Sequence, residues 1–103
     1  MLLTQSQRRQ LRKLAHHLKP VVIIGNAGLN ENVIAEIDHA LAHHELIKVR
    51  INAADKAERQ LMIDRIVTAT EAGWVLSIGH IAAFYRPAET PRIKLSVPNT
   101  AAP

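Results

Sequence analysis

The chain has no cysteine, only three aromatic residues, and no acidic residue before Glu31. Without cysteine there is no disulfide framework and no thiolate zinc site, which fits a reducing compartment such as the cytoplasm. No apolar run approaches the roughly 20 residues that cross a bilayer. Leu2-Leu3 is too short for the apolar core of a signal peptide. A soluble, cytoplasmic protein with no membrane partner is expected. The aromatics are Trp74, Phe84 and Tyr85. Phe84 and Tyr85 are adjacent, so on a strand they face opposite ways and cannot form the paired stacking platform of an RRM.

The missing acid matters most. Arg8, Arg9, Arg12, Lys13 and Lys19 stand in the first thirty residues with no carboxylate among them. The rest has eight Lys and Arg against nine Asp and Glu, so the whole surplus of the +4 net charge lies in that first segment. Arg8 and Arg12 are four apart, as are Arg9 and Lys13, which places them in neighbouring rows on a helix. One reading is a solvated face. The other is a surface for a polyanion, because like charges at this spacing weaken a helix slightly and a partner would offset that.

Beside this segment Val21-Val22-Ile23-Ile24 runs into Gly25-Asn26-Ala27-Gly28, and Asn30 is placed to cap a helix. Two glycines admit positive φ and remove Cβ atoms that would hold a ligand off. A following helix aims unpaired N–H groups and its positive dipole end at the turn, which suits a phosphate. The simpler reading is a tight strand-to-helix connection.

Periodicity supplies the elements. A helix is expected over about 4–18, with a Thr4/Gln7 capping box and a buried stripe of Leu11, Leu14, Ala15 and Leu18. A strand follows at 21–24, apolar on both sides and so expected to be covered on both. A second helix covers about 31–43, buried through Val33, Ile34, Ile37, Ala40 and Leu41. Next comes an alternating strand at 46–52, with Ile47, Val49 and Ile51 on one face and Lys48 and Arg50 on the other. This strand–helix–strand succession predicts a parallel pair with a right-handed crossover. A third helix over about 56–72 is capped by Asp55 with Glu58 completing the box, packs through Met62, Ile63, Ile66 and Ala69, and stops at Gly73. Strands at 74–78 and 81–85 flank Gly79-His80 as a hairpin. Residues 1–87 read as one domain, and 88–103, with three prolines, as an irregular tail docking through Ile93 and Leu95.

Catalytic and metal chemistry find little support. Ser6, Ser77 and Ser96 lack a nucleophile-elbow context. The glycine loop has no Gly-Lys-Ser/Thr ending, so it is no nucleotide P-loop. His39 and His43 are four apart near Glu36, but no His-Glu-x-x-His pattern is present. His44 falls on the apolar side of its helix, where a partly buried histidine is expected. No cofactor, metal or small-molecule substrate is expected.

Several blocks together resemble the CRM domain. They are Leu14-Ala15-His16, Lys19-Pro20-Val21-Val22, Ile24-Gly25-x-x-Gly28-Leu29, Glu36-Ile37, Ala40-Leu41, His44-Glu45-Leu46-Ile47-Lys48-Val49, Ile78-Gly79-His80 and Tyr85-Arg86-Pro87. The resemblance spans roughly 4–87, and the blocks in this order are specific where a lone Gly-x-x-Gly is not. The family comprises chloroplast RNA splicing factors and small bacterial ribosome-maturation proteins, and the single-domain length is similar to the stand-alone, YhbY-like bacterial type. The resemblance implies an α/β fold of order α-β-α-β-α-β-β, a four-stranded mixed sheet with three helices, similar to the C-terminal domain of translation initiation factor three. It also implies RNA binding without catalysis, with ribosomal RNA in a precursor of the large subunit as partner and ribosome assembly as the role. The residues carried into that expectation are Gly25, Asn26, Ala27, Gly28, Arg8, Arg9, Arg12, Lys13, Lys19, Lys48 and Arg50. Many members carry a lysine inside the loop; here Asn26-Ala27 stands instead, so the charge must come from the first helix. The alternative is a protein-interaction module whose basic helix docks on an acidic protein.

Overall fold

In a computed structural model, residues 1–95 are described. They form α1 (Gln5–Ala15), β1 (Pro20–Ile24), α2 (Glu31–His44), β2 (Leu46–Ile51), α3 (Lys56–Thr70), β3 (Gly73–Ile78) and β4 (Ile81–Tyr85). The expected order and the mixed four-stranded sheet are both present. The strands lie β1-β2-β4-β3, with β1 and β2 parallel and the other two pairings antiparallel.

The helices begin where their caps stand. The Thr4 hydroxyl accepts from the Gln7 amide and Gln7 returns a bond to the Thr4 amide, both at 3.0 Å. Asn30 Oδ1 accepts from the Val33 amide at 3.0 Å. Asp55 accepts from the Glu58 amide, while the Glu58 carboxylate reaches back one residue further, to the Ala54 amide. Each cap satisfies an amide that the helix itself leaves unpaired.

The two faces of the sheet are covered unequally. α2 and α3 cover one face except at its β3 edge, where Ser77 is exposed, burying Val22, Ile24, Ile47, Val49, Ile51, Ala82 and Phe84 against Ile37, Leu41, Ile63 and Ile66. On the other face lies α1 alone, holding Leu11 and Ala15 against Leu46, Val75, Ala83 and Tyr85. A single helix cannot cover four strands, which corrects three expectations. β1 is not covered on both sides: Val22 and Ile24 are buried, but Val21 is 47% and Ile23 62% exposed. The stripe on α1 shrinks to Leu11 and Ala15, and Leu14 and Leu18 are exposed. The helix also ends at Ala15, with Leu18 outside it.

Three smaller differences concern α2 and α3. Gly73 does not stop α3; Glu71 does, in the left-handed region at φ 60°. Gly73 instead opens β3, where an added Cβ would come within 2.9 Å of Leu3 Cδ1 and push that side chain aside. Ala69 is exposed, and Thr70 takes the inward place, its hydroxyl donating to the Ile66 carbonyl at 2.7 Å. His44 is exposed at the end of α2 and stacks edge-on against His43 at 4.6 Å.

After β4 the chain is strapped to the domain. Ile93 and Leu95 pack onto the α1-side core, as expected, and Gln10 Nε2 donates to the Lys94 carbonyl at 2.6 Å. The remainder of the tail, 96–103, lies outside the described residues.

Candidate nucleic-acid interface

The glycine turn is closed by the Gly28 amide donating to the Gly25 carbonyl at 3.0 Å. Asn26 and Ala27 are its exposed central residues. Gly28 has φ 78°, a conformation most residues resist, whereas Gly25 does not need positive φ. Nothing lies within 4 Å of where a Cβ would stand at either glycine, so the turn is open to approach from outside. Its amides are unequally available. Gly28 uses its own to close the turn and Val33 gives its own to Asn30, leaving those of Asn26 and Ala27 without an acceptor among the described residues. Arg65 Nη1 donates to the Leu29 carbonyl at 2.7 Å and ties this segment to α3.

The basic side chains divide into groups. Arg9, Arg12 and Lys13 are exposed on α1. Arg12 and His16, one turn apart, line a groove of about 340 Å³ together with Lys48, Leu76, Ile78 and Ile81. Arg50 stands exposed on the same sheet face, two residues beyond Lys48. Helix and strand residues that are 36 positions apart in the chain (Arg12, Lys48) therefore line one surface. Among the described residues the ion pairs are Arg86 with Asp38 and Arg92 with Glu45, and none of these cations enters either.

Two of the expected residues stand apart. Arg8 is half-buried at the β3 edge, its guanidinium 5.3 Å from the Trp74 ring centroid and its Nη2 donating to the Leu3 carbonyl at 3.4 Å. That cation–π contact engages the charge inside the protein. Lys19 precedes β1 while the glycine turn follows it, so the two sit at opposite ends of the strand, about 20 Å apart at about 3.3 Å per residue. Arg50 is the cation nearest the turn in register, paired with Ile23 across β1 and β2.

Sequence reasoning missed the residues that hold the far end together. Glu45 caps α2 at φ 67° and is buried, its side chain 1% exposed. Its carboxylate accepts from the amides of Ala88, Arg92 and Ile93 at 2.7–3.1 Å. Burial alone would raise its pKa. The three amides and the Arg92 guanidinium outweigh that and hold it below the usual carboxylate value. Burial, and then the Glu45 charge, push the Tyr85 hydroxyl up. Arg86 donates to Asp38 Oδ1 at 2.5 Å, to the Asp38 carbonyl at 3.0 Å and to the Thr70 carbonyl at 2.8 Å, joining α2, α3 and β4. Among the described residues no group of three or more His, Asp or Glu could hold a metal ion, and no helix is long and apolar enough to cross a membrane.

These features define a small mixed α/β module whose exposed cations on α1 and β2 enter no ion pair among the described residues. The chain belongs to the CRS1 / YhbY (CRM) domain family, whose match spans residues 3–86. It is 52% identical over 93 residues to a Haemophilus influenzae protein named "RNA-binding protein", covering 90% of this chain and 94% of the relative. It is 42% identical over 96 residues to "Probable RNA-binding protein PA4753" of Pseudomonas aeruginosa, covering 93% and 92%. The fold is similar to the solution structure of the hypothetical protein SAV1595 from Staphylococcus aureus, with a TM-score of 0.81 at 36% identity, covering 92% of this chain and all of that one.

Proposed function

We propose that this protein binds RNA without catalysing a reaction on it, and that its target is ribosomal RNA in a precursor of the large ribosomal subunit. The observation that carries the reading is the unpaired basic surface of Arg9, Arg12, Lys13, Lys48 and Arg50, which meets no carboxylate among the described residues. Cations left without internal partners on one face supply the salt-sensitive, phosphate-directed part of nucleic-acid binding. Membership in the CRM family and the names of the relatives support RNA as the partner.

In this reading the α1 and β2 cations neutralise phosphates, with Lys19 extending the surface at the far end of β1. The amides of Asn26 and Ala27 hydrogen-bond a phosphate oxygen at the open turn, and the helix-ward end of the turn adds a favourable dipole. The bound protein stabilises an assembly intermediate. Sedimentation of cell lysate at low salt tests this: the protein should travel with large-subunit precursor particles and leave them at high salt or after ribonuclease treatment. Migration as free protein at every salt concentration would overturn it.

A further inference from the structure

One row of residues crosses all four strands on the α1 side of the sheet: Ile23 of β1 pairs with Arg50 of β2, Arg50 with Ile81 of β4, and Ile81 with Ile78 of β3. α1 packs over the opposite end of this face, on Leu46, Ala83 and Tyr85, and leaves the row bare. Ile23 is 62% and Ile78 71% exposed, beside a half-buried Ile81. Three strand spacings of about 4.8 Å make the row about 14 Å wide. Ile23 is two residues from Gly25, so the row borders the glycine turn.

An apolar strip of this kind is unusual beside so much charge, and the charge identifies its occupant. Arg50 lies within the row, and Arg12, His16 and Lys48 line the groove that opens onto Ile78 and Ile81. The exposed residues of α1 and of this sheet face include no carboxylate. The partner must therefore present negative charge and flat apolar surface together, at spacings of a few ångström. A nucleic-acid duplex offers phosphates and sugars but hides its base faces, which would leave the isoleucines with nothing to cover them. An unpaired strand offers both, because splayed bases can lie on aliphatic side chains and on the guanidinium plane of Arg50.

We infer that the open row Ile23–Arg50–Ile81–Ile78 is a base-contacting platform for unpaired RNA, with Arg12 and Lys48 holding the phosphates along its edge. This inference rests on the RNA-binding reading above and specifies the form of RNA that the site takes.

The test compares an unstructured RNA oligonucleotide of mixed sequence with the same strand annealed to its complement. Wild-type protein should bind the single strand at least tenfold more tightly. Ile23→Ser with Ile78→Ser should remove most of that preference while the salt dependence stays unchanged, since no phosphate contact is lost. Thermal melting establishes that the variant is folded. Amide chemical shifts of wild-type protein titrated with the single strand give a second readout: residues 23, 50, 78 and 81 should move. Equal affinity for the two RNAs, an unaffected double variant, or shifts that spare the row would overturn the platform while leaving RNA binding in place. A row that responds to polyglutamate but to neither RNA would overturn both readings in favour of a protein partner.

Discussion

Glu45 shows how much one side chain can carry. Its neighbours in sequence are helix-end histidines, and no periodicity marks it, because its acceptor role depends on amides 43–48 residues away. Such a contact is invisible until the chain is folded. The depressed pKa has a defined sign. A carboxyl whose folded value lies below its unfolded value of about 4.3 contributes stability that is fully present above that pH. The contribution is lost as pH falls through the folded value. Acidification below about pH 4 should therefore loosen residues 88–93 before the sheet melts, as seen in their amide resonances. Glu45→Gln should cost on the order of 2–3 kcal/mol at neutral pH by chemical denaturation, since it removes charge-assisted bonds and sets an amide against amides. A neutral outcome would mean the tail is held by Ile93, Leu95 and its bonds to Gln10 and His43 without help from Glu45.

The glycine turn makes the other residue-scale claim. Ala27 is exposed at its tip, beside an amide with no acceptor among the described residues. Ala27→Asp should weaken RNA binding by about 1–3 kcal/mol through repulsion of phosphate, with salt screening setting the lower end. Ala27→Lys should strengthen it. Stability should stay within about 0.5 kcal/mol for both, as for other surface sites, so melting curves separate lost binding from lost folding. If neither change alters affinity, the turn is only a connection.

At the scale of elements, what could be read in advance was whatever local chemistry decides. Thr4, Asn30 and Asp55 announced three helices because a cap needs only its own next turn. The alternation of β2 separated Lys48 and Arg50 from Val49 and Ile51. What could not be read was coverage. A four-residue apolar run such as 21–24 has the same composition whether one face or two are buried, and only the placement of α1 across the far part of the sheet leaves Ile23 bare. Likewise Arg8 looked like Arg12 on the helix, and only the fold brings Trp74 under it. Arg9→Glu with Lys13→Glu, both on exposed positions of α1, should reduce RNA affinity at least tenfold. The helix itself should lose only a few tenths of a kcal/mol, mostly from a negative charge placed near its C-terminus. Arg8→Gln, by contrast, should affect stability more than binding, because its charge already faces the ring.

For the whole molecule, the order of elements and the mixed sheet were legible because each segment's period agrees with its neighbours' and the blocks resembling the CRM domain fall in sequence. The asymmetry of charge was legible too, since it needs only counting. Its spatial meaning was not: only the fold brings Arg12 of the acid-free segment and Lys48 of β2 to one groove, while Arg8 turns to Trp74. The central claim is that this face binds RNA through its phosphates, and the salt dependence of affinity tests it most directly. Each neutralised phosphate releases counterions, so about five contacts should give a slope of log K against log salt between about −3 and −5. A slope in that range, reduced in the Arg9→Glu, Lys13→Glu protein, is expected. A slope near zero, or one unchanged by those substitutions, would contradict it.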